Sequence, residues 1–130
     1  MVLSVTNKPI DPLEAYGRIS KNRAGSVVFH YAVVKDLKKG DGGVTTCIEY
    51  QAATGAEVEL AAIAAELQEK WKIEDLLLIR RVGCLGVGDI ISLVAVNSPN
   101  SEDAFAACKE GINRLKKMTT FKKQEIFEAA

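Results

Sequence analysis

The residues with the most distinctive chemistry form a basic segment near the end of the chain. Residues 114–125 have the sequence RLKKMTTFKKQE. Lys116 falls on the last turn of a predicted helix and Lys123 follows the next turn, so the two ammonium groups can converge from two elements. Paired lysines can hold an anion, and a lysine close to other cations can serve as a base or nucleophile. The alternative is a solvated basic helix end, which the helix dipole favours.

Other familiar catalytic and metal-binding patterns are missing from the sequence. Its one histidine, His30, lies in an apolar run that predicts a strand, in which it faces a neighbour or solvent. The glycines within residues 40–43 lack the Lys-Ser/Thr pair of a phosphate-binding loop and predict a solvated hairpin end. Cys47, Cys84 and Cys108 show neither zinc nor CxxC spacing, so we expect small buried side chains in a reducing compartment. We therefore expect no metal and no cofactor.

The size and charge of the chain limit its possible functions. Its 130 residues suffice for a single domain, residues 1–130, with a hydrophobic core. Lysine plus arginine equal aspartate plus glutamate at 17 each, so no net field favours nucleic acid or an anionic membrane. No apolar run approaches the about 20 residues of a membrane span, and the first residues lack the features of a secretory signal. We expect a cytoplasmic protein that acts on a partner or a small molecule.

The elements that must position the lysines are predicted from apolar periodicity. Runs with alternating or continuous apolar residues predict strands, and runs with helical spacing predict helices, in the order β-α-β-β-α-β-β-α-β. The second and third strands, residues 26–34 and 44–50, are predicted to form a long hairpin. This order predicts an α+β fold, in which two to three helices pack on a mostly antiparallel sheet.

Capping residues predict where the helices begin. Asp11 stands before a proline, which is typical of a first helical turn. Thr54 and Glu57 fit a capping box, in which each side chain satisfies a free backbone donor near the other. Asn100 or Ser101 is predicted to cap the last helix, whose far end carries Lys116.

One segment and its register resemble a known family. Residues 78–89, LIRRVGCLGVGD, are similar to the R-x-G-x-L-x-x-G-D/E hairpin of the large, catalytic subunit of molybdopterin synthase, the MoaE family. Residues 115–116 and 121–125 match that family's L-K-x-x-x-x-F-x-K-x-E signature. Further matches in register lie at residues 11–13, 23–29, 49–50, 91–98 and 103–105. The similarity covers nearly the whole chain.

This resemblance implies a fold, an activity and partners. Members of the family have an α/β hammerhead fold and form a central dimer. They take sulfur from a small ubiquitin-like subunit whose Gly-Gly end carries a thiocarboxylate, and they convert cyclic pyranopterin monophosphate to molybdopterin. The resemblance therefore implies a cytoplasmic sulfurtransferase that binds a sulfur carrier, a pterin phosphate and a second copy of itself.

The resemblance also assigns roles to individual residues by position. Lys116 and Lys123 match the two lysines of the family's active-site pocket, and both are expected to be catalytic: Lys116 assists the transfer step and Lys123 positions the substrate. Arg81 matches an arginine in the family's hairpin. The expected substrate-binding residues are Lys35, Arg81, Asn100, Ser101 and Lys122.

The sequence departs from the family pattern at several cationic positions. The family usually carries His-Arg where this chain has Asn100-Ser101, and arginines where it has Val34 and Gln124. Lys35, next to Val34, supplies a substitute charge in part. Arginine is not freely replaced where it recognises phosphate with two hydrogen bonds. An alternative function is therefore a non-catalytic MoaE-like binding or regulatory module that has lost the substrate-phosphate clamp.

Overall fold

The computed structural model describes residues 1–35 and 44–128. In chain order, its elements are β1 (Val2–Thr6), α1 (Pro12–Arg18), β2 (Ser26–Val33), β3 (Val44–Ala52), α2 (Ala56–Lys70), β4 (Asp75–Arg81), β5 (Gly83–Leu85), β6 (Ile90–Ser98), α3 (Ser101–Lys116) and β7 (Phe121–Glu128). The predicted order of elements is found with one addition, because the short strand β5 lies in the segment that was predicted only to connect β4 and β6. No helix within the two described ranges is long and apolar enough to cross a membrane.

The strands form two sheets. The first sheet has the order β1-β4-β6-β2, and the second has the order β5-β3-β7. Among the described strands, β1 and β4 pair in parallel and the other pairs are antiparallel. The predicted α+β class, with mostly antiparallel strands and three helices, is therefore confirmed.

The predicted hairpin between β2 and β3 is wrong. β2 pairs with β6 in the four-stranded sheet, whereas β3 pairs with β5 and β7 in the other sheet. β2 is apolar on both faces because the four-stranded sheet is packed on both sides. The glycines predicted to form the hairpin end lie within residues 36–43, outside the described part of the chain.

The two long helices cover one face of the four-stranded sheet and build the main core. Leu67 of α2 and Leu115 of α3 pack there with Leu78 and Val94 of the sheet. Gly111 lies at the contact between α3 and β6, where a Cβ atom would stand 3.1 Å from Val94 Cγ1. The absence of a side chain at this position lets α3 lie close to the sheet, which fixes where the helix ends.

The opposite face of the four-stranded sheet is covered by the short helix α1. Ile19, just after α1, packs against Leu93 on this face. Beside it lies a row of three aromatic rings, Tyr16, Phe29 and Tyr31, with centroids 5.9 and 6.2 Å apart. We call these three residues the outer aromatic row. Tyr16 is 52% exposed, so the row reaches the surface.

Two of the predicted helix caps are confirmed and one is wrong. Asp11 accepts a hydrogen bond from the backbone amide two residues later (3.0 Å), and Asn100 accepts one from the amide three residues later (2.8 Å). The capping box of Thr54 and Glu57 does not form. The N-cap residue of α2 is Gly55, in a left-handed conformation (φ 97°) without a side-chain hydrogen bond. Thr54 therefore stands one residue too early to cap the helix.

The prediction of three isolated, buried cysteines is wrong for two of them. Cys47 on β3 and Cys84 on β5 are joined by a disulfide, with Cα atoms 5.6 Å apart. The antiparallel register of β3 and β5 brings them together across 37 residues of sequence, which their spacing alone could not show. Cys108 is free and buried, as predicted, and burial raises the pKa of its thiol to about 11.

Candidate functional site

A cavity of about 750 Å³ opens between the two sheets, beside the C-terminal end of α3. Its apolar wall is formed by Ala32, Val34, Ile48, Ile91, Ile112 and Leu115. Its cationic rim is formed by Lys35, Lys116, Lys122 and Lys123. Both expected catalytic lysines and two of the expected substrate-binding residues thus border the same space.

The connection between α3 and β7 places the lysines around the cavity. Lys116 is the last residue of α3, and β7 begins after the four residues 117–120. β7 then pairs with β3, so that Lys123 lies opposite Tyr50. Met118, within the connection, is buried in the main core. A short, anchored connection therefore turns the chain back and brings Lys123 to the cavity that Lys116 already lines.

Arg80 forms part of the inner wall of the cavity, although the sequence did not single it out. It is only 7% exposed. Its Nη1 donates a hydrogen bond to the carbonyl oxygen of Leu115 (2.6 Å), and its guanidinium lies 4.1 Å from the centroid of the Phe121 ring. Burial lowers the pKa of Arg80, and the nearby Tyr50 and Glu59 partly oppose that shift.

The charge of the cavity suits an anionic ligand. Among the described residues that line the cavity, five are lysine or arginine and none is aspartate or glutamate. Tyr50, also in the wall, has a pKa raised by burial, an effect that the charge of Arg80 partly offsets. Among the described residues, no group of histidine, cysteine and carboxylate side chains could hold a metal ion. The cavity can therefore bind an anion through the ammonium groups of its lysines.

Comparison with known proteins identifies the family. A family model described as MoaE protein matches residues 5–118. The chain belongs to the MoaE family. A molybdopterin synthase catalytic subunit of Bacillus subtilis is 30% identical over 125 residues, which cover 95% of this chain and 78% of that protein. One from Staphylococcus aureus (strain Mu50) is 36% identical over 123 residues, which cover 92% of this chain and 82% of that protein.

A solved structure of a MoaE relative has the same fold. The crystal structure of molybdopterin synthase from Staphylococcus aureus matches with a TM-score of 0.87 and 32% identity. The match covers 97% of this chain and 91% of that one. Both the predicted family and the predicted fold class are thereby confirmed.

Arg81 matches the hairpin arginine of MoaE proteins but lies outside the cavity. Successive side chains of a strand point to opposite faces, so Arg80 and Arg81 cannot both face the same space. Arg81 Nη1 lies 3.7 Å from Asp89 Oδ2, and the same oxygen accepts a hydrogen bond from the Gly86 amide (2.9 Å). Within one chain, Arg81 therefore orients the connection between β4 and β6.

Asn100 and Ser101 lie at the opposite end of α3 from Lys116. Asn100 caps the helix and Ser101 is its first residue, whereas Lys116 is its last. A helix of 16 residues is about 24 Å long, since each residue adds ~1.5 Å. The two residues that replace the MoaE His-Arg pair are therefore separated from the cavity of their own chain.

His30 lines the MoaE cavity, although the sequence predicted only a strand residue facing a neighbour or solvent. Burial lowers the pKa of His30, and the charge of Lys116 lowers it further. Its Nδ1 is buried and has no hydrogen-bond partner within residues 1–35 and 44–128. A proton on that nitrogen would be buried without an acceptor, so the neutral ring with its proton on Nε2 is favoured.

Proposed function

We propose that this chain is the sulfur-transferring subunit of a molybdopterin synthase. In this role it converts cyclic pyranopterin monophosphate to molybdopterin, with sulfur from a thiocarboxylated carrier protein. The relatives described above are named molybdopterin synthase catalytic subunits, which confirms the predicted class and that the chain is an enzyme. The observation that carries the proposal is the single cavity that four lysines line and that no described carboxylate lines.

The two substrates of this reaction share a chemistry that the cavity fits. A thiocarboxylate and a phosphate are both anions, and ammonium groups bind anions through charge-assisted hydrogen bonds. We assign Lys116 to the transfer step, where it assists proton transfer at the carbon that loses sulfur. Lys123, with Lys35 and Lys122, holds the anionic groups of the substrate. No metal or cofactor has a part in this proposal.

The cavity also suits the tail of a small carrier protein. Its volume, about 750 Å³, lies within the range of about 300–1,000 Å³ that is typical of small-molecule sites. A tail that ends in Gly-Gly has no side chains beyond the backbone, so it can enter such a space beside a second substrate. We infer that the partner is a ubiquitin-like sulfur carrier whose thiocarboxylate reaches Lys116.

The alternative of a non-catalytic MoaE-like module has less support. Such a module would be expected if Phe121 closed the cavity, but its ring lies against Arg80 in the wall. The relatives named as catalytic subunits favour the enzyme as well. Asn100 and Ser101, which stand where the family usually carries His-Arg, lie at the far end of α3 from the lysine cavity of the same chain.

A second copy of the chain completes the proposed assembly. The outer aromatic row reaches the surface beside the short helix α1, and Val33 at the end of β2 is 49% exposed. Aromatic side chains are enriched where protein surfaces associate. We propose that this face joins two copies in a homodimer. Location in the cytoplasm stays a prediction from the family resemblance.

A conversion assay tests the proposed activity. The chain is mixed with cyclic pyranopterin monophosphate and a thiocarboxylated carrier, and the formation of molybdopterin is followed. Lys116→Ala is expected to lower the rate about 100-fold or more, because it removes the group that transfers the proton. The control is Lys117→Ala, which removes an exposed neighbouring lysine that does not line the cavity. A parent without activity despite carrier binding, or a fully active Lys116→Ala variant, contradicts the proposal.

A further inference from the structure

We propose that Arg80 and Glu59 are positioning residues that together fix the connection between α3 and β7, and with it the spacing of Lys116 and Lys123. This inference rests on the proposed function only in the role that it gives to the two lysines. The connection comprises residues 117–120 and separates the helix that ends in Lys116 from the strand that carries Lys123.

Arg80 holds both ends of the connection from inside the molecule. Its hydrogen bond to the Leu115 carbonyl satisfies an acceptor at the end of α3, one residue before Lys116. Its guanidinium lies over the ring of Phe121, the first residue of β7. A cation over an aromatic face is attracted to it, more strongly where water is excluded. One buried side chain thus contacts the element on each side of the connection.

Glu59 of α2 holds the last two residues of the connection, Thr119 and Thr120. Its two carboxylate oxygens accept four hydrogen bonds: from the amide and hydroxyl of Thr119 (3.1 and 3.4 Å) and from the amide and hydroxyl of Thr120 (3.2 and 2.6 Å). Burial alone would raise the pKa of Glu59, but these hydrogen bonds outweigh burial and lower it. The carboxylate is therefore ionised at neutral pH and at its strongest as an acceptor.

The two residues contact neighbouring parts of the same segment and attract each other. The negative charge of Glu59 favours the charged form of Arg80. Their contacts fall at Leu115, residues 119–120 and Phe121, so they hold the end of α3, the second half of the connection and the start of β7. A displacement of about 1 Å at a reacting group can cost about 100-fold in rate. Loss of either contact is therefore expected to lower turnover without removing any lysine.

A role in positioning differs from a role in stability. Arg80 is a buried cation whose Nε has no hydrogen-bond partner among the described residues, which is costly for folding. Removing one member of a buried ion pair is strongly destabilising, but Arg80 forms no salt bridge with a described carboxylate, so its loss leaves no salt-bridge partner behind. Arg80→Met is thus expected to fold with a free energy of unfolding close to that of the parent. If the arginine served only stability, its loss would lower the unfolding midpoint and leave the turnover of the folded fraction unchanged.

Steady-state kinetics with both substrates test the proposal. Arg80→Met and Glu59→Gln are each expected to lower kcat about 10- to 100-fold, while KM for the carrier changes less than about threefold, because every lysine is retained. Arg80→Lys, which keeps the charge and a donor, should recover part of the loss. The double variant should lose less than the product of the two single effects, because both act on one connection.

The matched control is Glu66→Gln. Glu66 lies on the same helix as Glu59, and its side chain binds Arg114 of α3; no hydrogen bond or ion pair found in the described part of the chain joins it to residues 117–120. It is expected to keep the kcat of the parent. If Arg80→Met and Glu59→Gln also keep that kcat, or lose activity only in proportion to the unfolded fraction, the proposal is overturned.

Amide hydrogen exchange separates this proposal from the proposed function. The amides of Thr119 and Thr120 donate to Glu59, so they are expected to exchange faster in Glu59→Gln and at the parent rate in Glu66→Gln. If the parent makes no product, the proposed function is refuted, and hydrogen exchange alone then tests the positioning role. Faster exchange of these two amides in Glu59→Gln supports that role. Unchanged exchange refutes it, whether or not the parent is active.

Discussion

His30 lines the cavity, and its surroundings there lower its pKa. It lies on β2 with its Nδ1 buried, and its accessible part lines the cavity together with Lys116. The other charged or titratable side chains of the described lining are Lys35, Tyr50, Arg80 and the two lysines of β7. Burial is the larger cause of its lowered pKa and the charge of Lys116 is the smaller one. The ring is therefore neutral at pH 7.

The lowered pKa of His30 is directly measurable, because the chain has a single histidine. We expect its ring protons to titrate below 6.5 in a nuclear magnetic resonance experiment. Lys116→Gln should raise this pKa, since it removes the Coulombic cause, yet leave it below 6.5 because burial persists. Lys70→Gln, at the exposed end of α2, should not change it. A titration at or above 6.5 in the parent would show that the ring is not held in this environment.

The same shift has a consequence for stability. The folded pKa lies below the unfolded value of 6.5, so in the interval between them the unfolded chain binds more protons than the folded one. The contribution of His30 to the free energy of unfolding is therefore present above pH 6.5. It falls as the pH drops from 6.5 through the folded pKa.

At this scale the sequence assigned Arg81 to substrate binding, whereas the structure places Arg80 in the cavity wall. There is a physical reason for this difference. Residues 75–81 form a strand that is buried on both faces, so apolar alternation does not show which of Arg80 and Arg81 faces the helices. The two lysines could be assigned because the family signature fixes their positions. The basic segment alone favoured a solvated helix end over an anion site. The disulfide between Cys47 and Cys84 depends on a strand pairing that no local pattern reveals.

Among the elements, α3 determines where the cavity lies. Its first residue follows the Asn100 cap, and its last is Lys116, so the helix spans the sheet from one end to the other. Gly111 sets its distance from β6. This helix was predictable because its cap and its apolar stripe agree with each other. The strands that pair with β3 were not predictable. Two apolar strands that follow each other in sequence suggest a hairpin, even where they belong to different sheets.

Gly111→Val tests the close contact of α3 with the sheet. A Cβ there would lie 3.1 Å from Val94 Cγ1 and 3.5 Å from Leu67 Cδ1, so the larger side chain must push the helix outward. We expect the free energy of unfolding to fall by about 1–3 kcal/mol in urea titrations, which is usual for overpacking. Gly17→Val is the matched control, because nothing lies within 4 Å of a Cβ at that helical glycine. Equal stability of the two variants would contradict the close packing of α3.

At the scale of the whole molecule, the cavity exists because the chain divides its strands between two sheets. The four-stranded sheet supplies His30 and Arg80, and the three-stranded sheet supplies Tyr50 and the lysines of β7. The fold class could be predicted from the order of elements, but the space between the sheets could not. That space requires β3 to pair in a different sheet from β2, the strand before it in sequence. The outer aromatic row lies on the face of the four-stranded sheet opposite the long helices. Catalysis and association can therefore use different surfaces.

The last prediction concerns the proposed homodimer. Light scattering after size-exclusion chromatography should give about twice the 14.1 kDa of one chain. Tyr31→Glu places a charge in the outer aromatic row, where burial against a second copy would be costly, so this variant should elute as a monomer. Phe105→Glu is the control, because Phe105 is 65% exposed on α3, away from that row. A monomeric parent contradicts the dimer. A dimer that Phe105→Glu disrupts while Tyr31→Glu does not would place the interface on the helical side instead.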